Sequence, residues 1–395
     1  MTTTDSRNRG VFTSLLFATM GVGTFVALSI GVIAVVFIED LGITRAQLGL
    51  VFAVNTLGAA AVSPFFGHLT DRIGGRSATV VVTGTAAVAF LVLGIAPSLG
   101  VLVVGSMIGA VAQAGSNPAT NKLIALDIPA GSRGTVTGIK QSGVPAFVFV
   151  GGLLVPTMAV IWGRASAYVA LAAFAASLAV FAWWYLPDGR VKPTASVTQG
   201  TGRLPRDIWW ITAYGFILGF SGSATVLYAL FTTESLGQSV VMGGAVAAVV
   251  GLVAMPSRIL WARYAERHHA YRFPLLVIAV IAVAASVVLV GADSGPWWLI
   301  WVAALLTGAG PSAWNAVGMV ALIVIAGPET AGRASGVVLS GFLVGLGIGP
   351  PLFGWIVDTT GDYTGAWIVA LVASIAGLVT VLLWTPQEQS PQTVP

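Results

Sequence analysis

Gly67-His-Leu-Thr-Asp-Arg-Ile-Gly-Gly-Arg76 is a compact charged stretch set between two long apolar runs. Its residue types suggest their own reasons. Gly67 would let two helices approach closely, Gly74 permits a tight turn, and Asp71 can pair with an arginine or a helix N-terminus. A solvated turn in which Arg72 and Arg76 merely set orientation would not require glycine at both ends or an acid at that spacing.

The apolar runs continue outward in both directions. Of 395 residues, 56% are hydrophobic and 8% are charged, against roughly 25% charged in soluble domains, so a lipid bilayer is the expected surrounding. About 20 apolar residues cross a hydrocarbon core. Spans are expected at 11–37, 46–66, 77–96, 99–125, 134–160, 165–186, 208–233, 240–262, 273–291, 297–326, 335–357 and 366–385. The 49 glycines suit close helix packing in lipid. With no cysteine and three histidines, two of them adjacent at His268-His269, no disulfide, metal, cofactor or catalytic triad is expected. The net charge of +4 does not point to nucleic acid, because the basic residues sit between spans.

Threading these spans places Arg45 and Arg164 outside, with the acids Glu39, Asp40, Glu234, Asp293, Asp358 and Asp362. Fourteen Lys and Arg, from Arg7 to Arg333 and including Arg258, fall inside, while Lys122 and Lys140 lie within spans. This asymmetry predicts a multi-pass protein of the cytoplasmic (inner) membrane with both termini cytoplasmic. The first apolar run is too long, and lacks the cleavage pattern, for a removable signal peptide.

Residues 187–207 are rich in Pro, Gly, Ser, Thr and basic residues and read as a flexible cytoplasmic linker between a bundle at 1–186 and another at 208–395. Features recur across that divide. Arg133 precedes Gly138-Ile-Lys-Gln-Ser-Gly143, and Arg333 precedes Gly336-Val-Val-Leu-Ser-Gly341. The stretch Pro256 to His268 reads as a decayed copy of 67–76, with Ala262 for Gly67 and Glu266-Arg267 for Asp71-Arg72.

The 67–76 stretch resembles the loop between the second and third helices of the major facilitator superfamily, roughly G-x-L-x-D-R-x-G-R-R/K. Gly67, Leu69, Asp71, Arg72, Gly74 and Arg76 fall on its places, and only the end departs, where Gly75 and Ser77 flank Arg76. The resemblance covers essentially the whole chain. It implies an all-α membrane protein with twelve transmembrane helices in two pseudo-symmetric six-helix bundles, working by alternating access and not as an enzyme. It also implies that Asp71, Arg72 and Arg76, with Gly67, Gly74 and the second-half Glu266 and Arg267, gate the cytoplasmic side and latch it in the outward-open state.

Polar residues at membrane depth are costly and invite a functional reading. Gln113, Asn117 and Asn121 recur every four residues and share one face of the fourth span; they line a cavity or hydrogen-bond neighbouring helices. Lys140, beside Gln141, lies inside the fifth span, where an unpaired ammonium costs roughly 2.5–3.5 kcal/mol. It pairs with an anionic substrate or snorkels to the surface. Lys122, with Asp127 nearby, reads more simply as snorkelling or local pairing. Tyr214, Tyr228, Trp314 and Asn315 offer aromatic walls with polar tips. Trp183, Trp184, Trp209, Trp210, Trp297 and Trp298 sit at span ends and fit an interfacial belt.

Drug exporters of the resembled family carry an arginine in the fourth span where this chain has Gly105, and no buried carboxylate stands out as a proton carrier. The expectation is therefore a monomeric secondary active transporter, a symporter taking up a small organic anion such as a carboxylate, with a proton as candidate coupling ion. The alternative is a proton-coupled efflux pump for drugs or hydrophobic metabolites.

Overall fold

The computed structural model describes residues 8–129, 132–188, 204–268 and 270–385. Among them, eleven helices are long and apolar enough to cross a membrane. One of these, Arg45–Ile95, has 51 residues, more than twice the roughly 20 a span requires. Gly74 interrupts it with φ 85 and ψ 163, a conformation that a side chain would strain. Phe66 and Val82, sixteen positions apart, share one buried cluster with Ala78 and Ala119, so the chain reverses at Gly74. Counting the two arms separately gives twelve spans.

They are α1 (Arg9–Val32), α2 (45–73), α3 (75–95), α4 (Leu99–Asp127), α5 (Thr135–Trp162), α6 (Arg164–Tyr185), α7 (Arg206–Glu234), α8 (Val240–His268), α9 (Arg272–Ser294), α10 (Leu299–Ala326), α11 (Arg333–Thr360) and α12 (Thr364–Leu383). The expected spans agree with these to within a few residues at most boundaries, and three differences matter. Residues 67–73 continue α2, so what reads as a loop is almost entirely helix, with the reversal concentrated at Gly74. Helix α8 extends to His268. Short 3₁₀ turns interrupt α7 at Ser223–Leu227 and α10 at Pro311–Ala313. Of the expected linker 187–207, residues 189–203 lie outside the described residues.

The two ends of the bundle differ in charge. One end, called basic here, carries Arg72, Arg76, Arg133, Arg263 and Arg267; the other, acidic, end carries Asp40, Glu234, Asp293, Asp358 and Asp362. The buried core follows the same division. A single cluster runs through both halves toward the acidic end, joining Val22, Phe25 and Ile30 of α1 to Leu227, Phe231 and Phe353 of the second half. Toward the basic end each half has its own core. Phe12, Leu123, Ile128 and Leu186 pack in the first half, and Ile208, Leu275, Trp314 and Trp384 in the second.

Candidate substrate site and gates

In the first half, a close helix contact sets the rotation of α5. A Cβ on Gly143 would lie 2.2 Å from the Phe17 carbonyl oxygen of α1, so only glycine permits that approach. Three residues earlier, Lys140 is turned onto α4 and is fully buried. Its ammonium donates to Asn117 Oδ1 at 3.1 Å, Thr120 Oγ1 at 2.9 Å and Asn121 Oδ1 at 2.6 Å. Gln141 Nε2 donates to the same Asn117 Oδ1 at 2.9 Å. The ammonium therefore does not snorkel. Three neutral oxygens hold it, and among the described residues no carboxylate takes part.

This arrangement fixes the amides. With their oxygens facing the ammonium, assigned from the hydrogen-bond network, Asn117 and Asn121 turn their NH₂ groups away from Lys140. Asn121 is exposed and Asn117 half-buried. The positive charge is thus presented outward through amide donors, a surface that suits an anion. Gln113, one turn beyond Asn117 on the same face, is half-buried, and its Oε1 is buried without a partner among the described residues. Spacing by four residues sets Gln113, Asn117 and Asn121 on one face of α4, and the packing of α5 brings Lys140 and Gln141 to it.

The second-half residues are placed differently. The Tyr214 hydroxyl donates to the Leu275 carbonyl at 2.8 Å, and Tyr228 and Thr307 bond through their hydroxyls at 2.8 Å. Both tyrosines are buried with their polar tips committed to other helices of their own half, so they brace that half instead of offering a free hydroxyl as expected. Trp314 is buried against Phe342 and Tyr214, in a notch made by Gly215 and Gly318. Its indole N–H has no partner, and Asn315 beside it is half-buried.

Three residues escape the sequence reading. Asn55 is buried, donates to the Ser106 carbonyl at 3.0 Å and leaves its own Oδ1 without a partner. Arg45, read only as an outside charge, joins the two halves through Glu234 and Asp358. Arg258, counted with the connections, lies within α8, half-buried, with Nε donating to the Ser312 carbonyl at 2.9 Å in the turn that interrupts α10. Its position inside the expected span 240–262 is the signal that could have found it.

At the acidic end the halves are bound together. Arg45 Nε meets Glu234 at 2.8 Å and Nη1 meets Asp358 at 3.2 Å. Asp358 also accepts from the backbone N–H groups of Arg45 and Ala46, at the start of α2. Tyr363 donates to Glu234, and burial, together with that carboxylate, pushes its phenol pKa up, which keeps the donor protonated. Glycines bring the backbones together: a Cβ on Gly49 would lie 2.5 Å from Pro350 and Pro351, and one on Gly354 2.5 Å from Arg45.

At the basic end, Lys122 pairs with Asp71 at 2.8 Å and Arg76 with Asp188, just past the end of α6, at 3.1 Å, and neither pair reaches the second half. The Arg76 guanidinium also stands 4.9 Å from the centre of the Trp183 ring. Asp71 thus has a lysine where an arginine or a helix end was expected. Arg72, Glu266 and Arg267 are exposed. A Cβ on Gly67 would have open space, whereas one on Gly75 would meet Leu123 of α4 at 2.7 Å, so the close approach expected of Gly67 is made by Gly75.

The Major Facilitator Superfamily model matches residues 11–305 and 272–395. The chain belongs to this family. Within it, the chain is 24% identical to a probable sulfoacetate transporter of Cupriavidus necator, over 91% of this chain and 89% of that one. It is also 24% identical to a multidrug resistance protein of Yersinia enterocolitica, over 56% of this chain and 57% of that one. A crystal structure of a bacterial homolog of the human lysosomal transporter Spinster, inward-facing and unoccupied, superposes with a TM-score of 0.72 at 17% identity, covering 95% of each chain. The fold is the all-α membrane fold of this superfamily, and the chain is a transporter of small solutes.

Proposed function

We propose that this superfamily member carries a small organic anion across the cytoplasmic membrane by alternating access, with the basic end facing the cytoplasm. The observation that carries the reading is Lys140, a buried ammonium held only by amide and hydroxyl oxygens. Replacing one partner of a buried charge leaves the rest exposed to a desolvation penalty, so a cation kept without a counter-charge implies a ligand that supplies one. Lys140 with Asn117, Asn121 and Gln141 forms the first-half wall of the site. Gln113, Trp314 and Asn315 extend it, and Arg72, Arg76 and Asp71 with Glu266 and Arg267 close the cytoplasmic side in the opposite state. The probable sulfoacetate transporter supports an anionic class of substrate.

The protein acts as a monomer, and a proton is the candidate coupling ion for symport. Uptake of radiolabelled sulfoacetate, succinate and acetate into proteoliposomes tests the reading. Saturable uptake of an anion that Lys140→Gln reduces at least about tenfold is expected. Equal anion uptake by Lys140→Gln and the parent would overturn it, as would transport confined to hydrophobic cations.

A further inference from the structure

Arg258 is the other cation at membrane depth that the site description leaves without a task. Helices α5 and α8, from opposite halves, run antiparallel and touch through small residues. A Cβ on Gly152 would lie 2.6 Å from the Gly244 carbonyl oxygen, and one on Gly251 2.5 Å from the Pro145 carbonyl oxygen. Pro145 and Gly152 are seven residues apart, as are Gly244 and Gly251, and seven residues are close to two turns, so each pair shares one face. Continuing both stripes by the same step toward the basic end reaches Gly138 on α5 and Arg258 on α8. The contact has ended by then, because a Cβ on Gly138 would meet nothing within 4 Å. Arg258 instead reaches aside to the Ser312 carbonyl.

Lys140, two residues on from Gly138, points to another side of the helix, but Gln141, three residues on, shares the Gly138 face and bonds the Asn117 oxygen that also holds Lys140. Closure of the basic end along the existing register therefore brings Arg258 over a glycine with room for it, beside the Lys140 cluster. Neither cation is in an ion pair among the described residues. Two unpaired positive charges oppose that closure, and an anion between them removes the opposition.

We propose that Arg258 is the second cation of the substrate site, and that the substrate is a small dianion with one acidic group for the Lys140 cluster and another for Arg258. The dianion then does two things. It bridges the halves, and it licenses closure of the basic end. This rests on the anion reading above but adds a separate residue and a separate discrimination.

Binding of malonate, succinate and sulfoacetate, against acetate and propionate, is measured by calorimetry on the purified full-length protein. At least one diacid is expected to bind about tenfold or more tighter than the monoacids. Arg258→Gln removes that preference while still binding monoacids, which also shows the variant to be folded, and Arg258→Lys restores part of it. Lys140→Gln weakens both kinds of acid. If Arg258→Gln keeps the preference while Lys140→Gln destroys binding, the second cation is wrong and the single-cation site stands. If Lys140→Gln leaves every affinity intact, or no acid binds, the anion reading fails with it.

Discussion

The acidic and basic ends of the bundle are built from the same materials, glycines on facing helices and charged residues at helix termini, yet they are in opposite conditions. At the acidic end Arg45 reaches two carboxylates of the other half, and Gly49 and Gly354 carry backbone against backbone. At the basic end Lys122–Asp71 and Arg76–Asp188 do not reach the second half, and Gly138 and Gly336 look into open space. Gly336 lies on the α11 stripe that carries Gly347 and Gly354, which do touch α2. The molecule is therefore closed at its acidic end and open toward its basic end, and the empty glycines mark surfaces that would meet in the other state.

The strongest way to break this contrast is Gly354→Leu, whose side chain would collide with the Arg45 backbone. Overpacking of this kind costs about 1–3 kcal/mol, so the acidic end should fail to seal. Uptake into proteoliposomes is expected to fall more than about tenfold. Normal uptake would show that this contact is not a gate.

Gly138→Leu probes the opposite end. Nothing occupies that space in this state, and leucine is a better helix former than glycine by about 0.8–1.0 kcal/mol. The variant should melt no lower than the parent and still transport poorly, because the α5–α8 stripe can no longer close. Intact transport would mean the stripe does not extend to Gly138.

A smaller effect is expected of Asp358→Asn, which weakens the Arg45 pair and the acceptor of two α2 N–H groups. Hydrogen bonds to charged groups are worth about 1.5–3 kcal/mol when well made, less here because Arg45 is partly exposed. The chain has no cysteine, so a Gly336→Cys reporter reads the basic end cleanly. Its maleimide labelling should slow in Asp358→Asn as the population moves away from the open state.

Asp71→Asn should do least to this state. The Asp71 side chain is 76% exposed, and such pairs contribute within about 1 kcal/mol, so stability and Gly336→Cys labelling should hardly change. Uptake should still fall, because the loop is expected to act when the basic end is shut. Unchanged uptake would remove Asp71 from the gate.

Much of the fold was legible because membrane crossing imposes a length and a polarity that sequence displays directly. The twelve spans, the reversal near Gly74 and the recurrent G-x-x-x-S-G all follow from local pattern. The amide face of α4 was legible for the same reason, since spacing by four residues places Gln113, Asn117 and Asn121 together. The partners were not. Pairing Lys122 with Asp71, and Lys140 with three α4 oxygens, joins residues roughly 20 to 50 positions apart, and one-helix periodicity carries no information about a neighbour's rotation. The tyrosines misled because a buried phenol and a cavity-lining phenol look alike until the helix opposite is known.

Composition and periodicity alone establish that this chain is a bundle of apolar helices with its basic residues gathered at one end, since burial in lipid and the cost of moving cations are properties of each segment taken singly. Which end is sealed and where Arg258 lies relative to α5 depend on contacts between helices from different halves, and what holds Lys140 depends on how α5 is rotated against α4. Those contacts follow from how small residues interlock across the bundle, and only the assembled structure contains them.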